Sequence, residues 1–571
     1  MNSFRNKLAI ATMAAFLVGC GSGDIKVNPV TQDNSTDNSV NNSNNTSAPA
    51  AETNPCAFYV NDAGQTIQGS FDGLDCDYAS TFVDAGNNLT RDLTIPELDN
   101  GGVHVFRGSL FVGESYDNDA ALAAAGITKG GDGPVLTIEA GATLAFTSNA
   151  DFMIINRGSQ IFAAGTAAKP ITITSLSDVE SSRAATPTLA FDAVQQWGGM
   201  VINGFGVTNK CAYTGSVAGD DLATTDCHVD AEGAAGLDES QYGGANNNDN
   251  SGRLEYVRVK HTGAQVANGD ELNGISFGGV GSNTTVNNLQ VYSTYDDGIE
   301  MFGGAVNINN YVAVYARDDS LDIDEGYSGT VTNALIIQAE SDGNSCIEAD
   351  GIGSYSSLSD AQIANVIAQG INSRPVINNM TCIFSPNSAA TATHDPGAGF
   401  RFREGIFPTV NDALVISAFG TDDPASTNYC IRIDNRSQQA AQDGDLDINS
   451  SIFSCVDKTN GQSLPNGTTV EAFVTASGNQ FATTVTDDNA TAASNTALVL
   501  LEGTPSIYSV DYATMVVDGA APTSTAPVSG KSYIGALSLG ASDWTAGWTY
   551  GIHPGSRARD ASGNDLPLWF E

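Results

Sequence analysis

Cations are scarce in this chain: 23 lysines and arginines stand against 65 aspartates and glutamates in 571 residues, a formal net charge of −42. A chain of this charge repels phosphate backbones, so the composition argues against nucleic acid as a partner. The nine cysteines include no C-x-x-C pair, and the five histidines show no H-x-x-H spacing. Metal sites built on those spacings are therefore not indicated.

Long apolar runs are also missing beyond the first twenty residues, so no later segment is predicted to span a bilayer. At the start, Arg5 and Lys7 precede an apolar run that ends at Val18, which predicts a secretory signal. The following residues, Leu17-Val18-Gly19-Cys20, resemble the bacterial lipobox, which implies cleavage before Cys20 and lipidation of its thiol. Since residue 21 is Gly rather than Asp, the same resemblance implies the outer membrane. The alternative is an ordinary signal with a chance cysteine.

Eight cysteines remain once Cys20 is set aside, and an even number in an exported chain favours disulfides over metal thiolates. They fall into four local couples, although 105 pairings are formally possible. The expected pairs are Cys56 with Cys76, Cys211 with Cys227, Cys346 with Cys382, and Cys430 with Cys455.

A short strand pattern returns six times between residues 270 and 435. In each copy, one apolar residue stands on each side of a position that points outward. The first apolar positions 275, 299, 321 and 347 are 24, 22 and 26 residues apart, a repeat length typical of a solenoid. With many Gly and Asn turns and almost no helical pattern, we expect an all-β fold, a parallel β-helix. The copies are Gly274-Ile275-Ser276-Phe277, Gly298-Ile299-Glu300-Met301, Ser320-Leu321-Asp322-Ile323, Cys346-Ile347-Glu348-Ala349, Gly399-Phe400-Arg401-Phe402 and Cys430-Ile431-Arg432-Ile433.

Stacking of the coils predicts columns of side chains at the inter-strand spacing of about 4.8 Å. The inward column is apolar and reads Ile275, Ile299, Leu321, Ile347, Phe400 and Ile431. One outward column reads Ser276, Glu300, Asp322, Glu348, Arg401 and Arg432, and a second reads Gly278, Phe302, Asp324, Asp350, Arg403 and Asp434.

Composition along the chain predicts its organisation. Residues 1–20 are the signal peptide and lipobox, and the polar residues 21–55 form a disordered tether. An N-terminal cap at 56–100 precedes the β-helix at 101–456, from which a disulfide-stapled loop leaves at about 206–252. Residues 457–571 hold the last coils and a C-terminal aromatic cap, which we expect to dock on the last coil through Trp544, Trp548 and Trp569.

The coils resemble the right-handed parallel β-helix of the pectin-lyase-like superfamily. Over roughly residues 100–440 and the aromatic tail, several motifs are similar to a family of bacterial surface and outer-membrane lipoproteins. That resemblance implies fold and location rather than an activity, and it points to a TonB-dependent receptor as a partner. The motifs are Trp197-Gly198-Gly199-Met200-Val201-Ile202-Asn203-Gly204, Tyr242-Gly243-Gly244, Asp249-Asn250-Ser251-Gly252, Gly279-Val280-Gly281 and Asp296-Asp297-Gly298-Ile299-Glu300.

Five stacked carboxylates are the candidate metal ligands: Glu300, Asp322, Asp324, Glu348 and Asp350. Like charges about 5 Å apart either raise their pKa values or recruit a counter-charge, and Ca²⁺ prefers such oxygen ligands. Adjoining turns add further acids at Asp296, Asp297, Asp318, Asp319 and Asp342. Alternatively, Arg317, Arg401, Arg403 and Arg432 neutralise the acids as a surface ion-pair ladder, or the assumed register is wrong.

An enzyme is the second possibility. The pectate lyases of the superfamily combine Ca²⁺ with an arginine base, a role that Arg401 or Arg403 would fill. Their W-I-D-H and R-x-P-x-x-R motifs are absent, whereas the acidic column could also serve a glycosidase. Elsewhere, Lys260 and His261 end a predicted strand, where we expect a solvated strand end rather than the lining of a groove.

The sequence thus favours an outer-membrane β-helix lipoprotein that acts as a binding or interaction protein with a Ca²⁺-stabilised acidic face. Its expected partners are the membrane, through the lipid anchor, and a TonB-dependent receptor or a surface polysaccharide. The alternative is a Ca²⁺-dependent lyase or glycosidase acting on acidic polysaccharide.

Overall fold

The structure, a computed structural model, describes one compact unit within residues 54–571. The predicted signal peptide, Cys20 and the tether lie outside the described residues, apart from positions 54 and 55. No helix within the described part is both long and apolar enough to cross a membrane. The described ranges are 54–83, 86–232, 240–267, 270–340, 342–385, 397–417, 429–455, 457–483, 501–502, 505–506, 508–514, 516–517, 520–537, 543–560 and 562–570.

Ten parallel strands form the first long sheet, sheet I, and they lie next to one another in chain order. Each coil of the solenoid contributes one strand, so the sheet runs along the whole body. The strands of sheet I are Leu110–Val112, Met153–Ile155, Met200–Asn203, Ile275–Gly278, Ile299–Phe302, Leu321–Asp324, Ser345–Asp350, Ala398–Arg403, Tyr429–Ile433 and Asp457–Thr459.

Sheet II has 18 strands, parallel apart from the pairing of its first two, and closes the other faces of the coils. Its strands are Ser70–Phe71, Cys76–Tyr78, Leu93–Ile95, His104–Phe106, Val135–Ile138, Thr143–Phe146, Gln160–Ala164, Ile171–Ser175, Gly252–Thr262, Thr285–Thr294, Asn307–Ala316, Thr330–Ile337, Val376–Phe384, Thr409–Asn411, Leu414–Ser417, Asp447–Asn449, Ile452–Cys455 and Gln480–Thr483.

A left-handed residue bends sheet II in each of seven successive coils, with φ between 51° and 62°. Asn tolerates this conformation better than most residues, which explains why four of the seven are Asn. Their amides also stack: Asn310 donates to Asn288 at 3.0 Å and Asn333 to Asn310 at 2.8 Å. The bend turns each coil into three faces around one core. The seven residues are Tyr256, Asn288, Asn310, Asn333, Asn379, Asp412 and Ser450.

The predicted register of sheet I is confirmed. Ile299 pairs with Ile275 on one side and with Leu321 on the other. All six members of the inward column are fully buried. The outward column pairs Glu300 with Asp322 and Asp322 with Glu348. The fold is the right-handed parallel β-helix that the repeat and the resemblance predicted.

Short elements decorate the coils. Helix α1 is Asp119–Ala125, α2 is Leu176–Arg183, α3 is Asp360–Gln369, α4 is Ser437–Asp443 and α5 is Val470–Ala476, and 3₁₀ turns occupy Asp99–Gly101 and Tyr355–Ser357. The remaining strands are antiparallel: Phe58–Val60 with Thr66–Gln68, Val229–Asp230 with Gln241–Tyr242, Gln265–Ala267 with Asp270–Glu271, Leu501–Glu502 with Val516–Val517, and Pro505–Ser506, Ser509–Asp511 and Tyr533–Gly535 together.

Four disulfides join the cysteines that lie nearest along the chain. Two of them tie sheet I to sheet II across the buried interior of a coil. The bonds are Cys56–Cys76, Cys211–Cys227, Cys346–Cys382 and Cys430–Cys455.

The C-terminal segment lies elsewhere than the last coil. The Tyr550 backbone exchanges two 2.7 Å hydrogen bonds with the side chain of Gln290, and the Trp569 indole donates to the Gln338 carbonyl at 2.9 Å. Trp548 packs edge-on against Tyr256, 5.7 Å between ring centroids. The segment therefore covers the flank of sheet II along several coils, because that outer face carries its own apolar cluster.

Candidate functional site

Nine carboxylates line one cavity of about 310 Å³ on the outer side of sheet I. Three come from outward positions of sheet I strands and one from the strand Asp270–Glu271. Four come from the turns that precede two sheet I strands, and one comes from the loop at 206–252. The lining residues are Glu232, Glu271, Asp296, Asp297, Glu300, Asp318, Asp319, Asp322 and Glu348.

The turns are held by a ladder of backbone hydrogen bonds. The amide of Asp297 donates to the Asn273 side chain at 3.2 Å, and the amide of Asp319 donates to the Asp297 carboxylate at 2.9 Å. Ser345 continues the ladder with a 2.5 Å bond to Asp319. These bonds hold the carboxylates of Asp297 and Asp319 in register on adjacent coils.

The strands contribute Glu300, Asp322 and Glu348, as the sequence predicted. Glu300 also accepts a 2.6 Å hydrogen bond from the Asn273 amide. Together with the turns they form three contiguous triplets whose carboxylate oxygens lie within 4.8 Å of one another. The triplets are Asp296, Asp297 and Asp318; Asp297, Glu300 and Asp322; and Asp319, Asp322 and Glu348.

Burial and mutual repulsion govern the electrostatics of this acidic cavity. Burial, followed by the charges of Glu232 and Asp322, raises the pKa of Glu300 well above its usual range. The pKa of Asp297 is raised by burial and then by Asp296 and Asp322. Burial and then nearby acids raise the pKa values of Asp296, Asp319 and Asp322 in the same way.

Among the described residues, no lysine, arginine or histidine lies within 4.0 Å of the carboxylates of Asp296, Asp297, Glu300, Asp319 or Asp322. Of the predicted arginine ladder, Arg317 binds Asp342 at 3.5 Å, outside the residues that line the cavity, and the other members follow in later coils. Arg401 and Arg403 both bind Glu348, the second at 2.6 Å, and Arg403 also binds Asp350. The ion-pair interpretation therefore explains the end of the acidic column and leaves its centre without a counter-charge.

Asp324 and Asp350 do not line the cavity. Asp350 pairs with Arg403. Burial is the largest influence on the Asp350 pKa and raises it, but the neighbouring arginine limits the pKa to about 6. Asp324 stands next to Glu325, whose carboxylate lies 3.2 Å from Lys210. Of the five predicted metal ligands, the structure thus brings three together.

Glu232 and Glu271 are cavity residues that the strand repeat could not reveal. Glu232 belongs to the loop at 206–252, which we expected to leave the helix; its described residues instead lie against sheet I. The loop is fixed at Glu325, which accepts hydrogen bonds from Thr208 at 2.8 Å and Tyr242 at 2.5 Å. Its Cys211–Cys227 disulfide is a hint of such a compact loop, although the pair does not show where the loop docks.

The donor set fits Ca²⁺. Two oxygens bound to one calcium at roughly 2.4 Å can be at most about 4.8 Å apart, which every triplet satisfies. Calcium takes six to eight oxygens, of which each triplet offers at least three. A divalent cation bound there would also remove the repulsion that raises the pKa values.

Lys260 and His261 do not form the solvated strand end that we expected. Both are almost fully buried, and both bind Asp178 of helix α2, Lys260 at 2.8 Å and His261 at 3.3 Å. The expectation was wrong because α2 and the C-terminal segment cover this edge of sheet II, and neither contact is encoded in the local strand pattern.

A family model described as a pectate-lyase like beta helix domain matches residues 116–549. Neither a curated protein nor a solved structure matches the chain.

Proposed function

This chain belongs to the pectate-lyase-like β-helix family, and from that premise we propose that it is an exported binding protein whose acidic cavity holds Ca²⁺ and whose ligand is an acidic polysaccharide. The observation that carries the proposal is the group of five carboxylates, three buried and two half-buried, with no cationic partner among the described residues. A fold stacking five such groups at coil spacing is destabilised unless they are protonated or bound to a cation.

Asp297, Glu300 and Asp322 would hold the ion, and Asp319 and Glu348 form a neighbouring triplet with Asp322. When bound, it would supply open coordination positions that a carboxylate of an acidic sugar could occupy. Next to it, Arg401, Arg403 and Arg432 line a second cavity of about 380 Å³. Cations at both positions favour a polymer with a regular spacing of carboxylates over a neutral glycan.

We place the protein on the outer membrane, anchored by the lipid on Cys20, as the lipobox-like residues support. A surface polysaccharide is then the nearest ligand, and a TonB-dependent receptor is the partner that the family resemblance favours. Nucleic acid does not fit the charge of −42.

An acidic-polysaccharide lyase or glycosidase is the second candidate, because Arg401 and Arg403 directly follow the acidic column in the same sheet. A lyase base must give up its proton to accept one from the sugar. Burial lowers the pKa of the Arg403 guanidinium, but the charges of Glu348 and Asp350 outweigh burial and raise it. Both guanidiniums are thus held protonated in ion pairs, an arrangement that supports binding over proton abstraction.

Affinity electrophoresis through gels containing polygalacturonate separates the two functions. A binding protein is retarded in the presence of Ca²⁺, is released by chelator, and is not retarded by dextran. A lyase also generates unsaturated products that absorb in the ultraviolet. Retardation that does not depend on Ca²⁺ would contradict the proposal, and so would a lack of retardation in gels of every acidic polymer tested. The Asp324→Asn variant is the matched control, since that carboxylate lies in the same sheet outside the cavity.

A further inference from the structure

A third cavity, of about 350 Å³, is lined by more cationic than acidic side chains, unlike the chain as a whole. It lies between helix α2, residues 184–191, the sheet II strand Gly252–Thr262 and residues 550–563. Arg258, Arg557 and Arg559 line it, whereas Asp178 is the only carboxylate among its described lining residues. In a chain with 65 acids and 23 lysines and arginines, a local excess of cations is the opposite of what composition predicts.

The one acid is already neutralised. Asp178 accepts hydrogen bonds from Lys260 and from Thr174, both at 2.8 Å, and His261 lies 3.3 Å away. Burial alone would raise the pKa of Asp178, but Lys260 and His261 outweigh it and hold the pKa well below its usual range. Asp178 is therefore bound first to Lys260 and His261, and its charge only partly offsets the lowering of the Arg258 pKa by burial.

Arg258 and Arg559 lack a carboxylate within 4.0 Å in the part of the chain that the structure describes. Arg258 instead donates twice to the neutral Thr172 hydroxyl, at 3.1 and 2.7 Å. Burial lowers its pKa. A largely desolvated guanidinium with only a neutral acceptor gains strongly from an anion.

Aromatic and apolar side chains complete the wall. The Tyr550 ring lies 3.7 Å from the Lys260 ammonium and 4.8 Å from the Tyr292 ring, so packing fixes its position. Phe191 and Leu189 line the cavity with it. A partly open cavity that combines aromatic and aliphatic walls with a few convergent donors suits a small polar ligand.

We propose that this cavity binds a small oxyanion, with Arg258 and Arg559 as its donors and the Tyr550 and Phe191 rings against any apolar part. A carboxylate on a sugar and a free inorganic phosphate share this chemistry. The site is independent of the acidic cavity, since it lies on sheet II and shares no residue with it.

Calorimetric titration in chelator, with the full chain, tests the site while Ca²⁺ is absent. Glucuronate is the first probe, inorganic phosphate the second and glucose the neutral control. We expect saturable binding of glucuronate and none of glucose. Binding of phosphate alone would support the oxyanion site and assign a free anion as its source.

Arg559→Gln should weaken binding about tenfold, because one charge-assisted hydrogen bond is lost, and Arg258→Gln should do the same. Arg253→Gln, which changes an exposed arginine outside the cavity, should leave it unchanged. If Arg258→Gln fails to fold by circular dichroism, the exposed Arg559 decides alone. No binding of either anion, or binding that survives Arg559→Gln, would overturn the proposal.

Discussion

The backbone amide of Asp319 donates a 2.9 Å hydrogen bond to the carboxylate of Asp297 in the preceding coil. This bond fixes two acids above one another at the spacing that the solenoid imposes, about 4.8 Å. The solenoid that creates the acidic cavity therefore also prevents its acids from moving apart. Either protonation or a bound cation must relieve their repulsion.

Inward and outward positions of one strand should differ sharply in tolerance. Ile299→Asp buries an unpaired charge between coils and should lower the free energy of unfolding by more than about 4 kcal/mol. Glu300→Gln keeps the shape, removes repulsion, and should cost far less in calcium-free buffer. Urea unfolding of both variants measures the difference, and equal losses would contradict the register of sheet I.

The sequence predicted the strands of sheet I and their register because the period-2 pattern is local and each copy carries it. Glu300, Asp322 and Glu348 follow from that register alone, and the structure places them together. The contribution of Glu232 could not be predicted, because it depends on a loop that docks through Thr208 and Tyr242 on a distant glutamate.

The sequence pattern also did not predict that outward residues of sheet I are buried. The ring of Tyr242, from that loop, packs 6.0 Å from Phe302, an outward residue that local alternation places in solvent. Likewise, Lys260 and His261 are covered by α2 and by a segment about 290 residues later in the chain. Contacts over such separations leave no trace in local periodicity.

Arg403 should contribute to stability through its two ion pairs. Its side chain is 26% exposed and its partners Glu348 and Asp350 about a tenth, so the pair is partly desolvated. Arg403→Gln leaves both acids without this partner and should lower the free energy of unfolding by about 2 kcal/mol, discounted for exposure. Arg253→Gln, which breaks an exposed pair with Glu255, should cost less than about 1 kcal/mol. If thermal melts show the same destabilisation for Arg403→Gln and Arg253→Gln, the ion pairs of Arg403 do not stabilise the fold as proposed.

His104 should make the protein sensitive to acid. Burial lowers its pKa from 6.5 to about 4, and its ring is hydrogen-bonded to Tyr78 and to the Pro96 carbonyl. Between those pH values the unfolded chain binds a proton that the folded chain refuses. Stability should therefore fall as pH drops from about 6.5 to 4, by about 3 kcal/mol from this group. In His104→Gln, the free energy of unfolding should fall less between pH 7 and pH 4.5 than in the wild type, by roughly that amount. An unchanged dependence of stability on pH would contradict the assignment.

Cys20 should determine where the protein resides. Cys20→Ser removes the thiol that lipidation requires, so the variant should leave the outer-membrane fraction. Fractionation after a high-salt wash checks this, because salt removes proteins held by charge alone. A variant that stays with the membrane would disprove the lipid anchor, and a Cys211→Ser variant controls for loss of a cysteine elsewhere.

Calorimetric titration of Ca²⁺ into chelator-stripped protein tests the acidic cavity most directly. The wild type should bind calcium saturably and melt at a higher temperature with it, since a ligand of the native state stabilises by mass action. The triple variant Asp297→Asn, Glu300→Gln, Asp322→Asn should bind no calcium in the cavity and melt at a temperature that ignores chelator, whereas Asp324→Asn should behave as the wild type. A wild type that takes up no calcium, with a melting temperature indifferent to both Ca²⁺ and chelator, would contradict the calcium site.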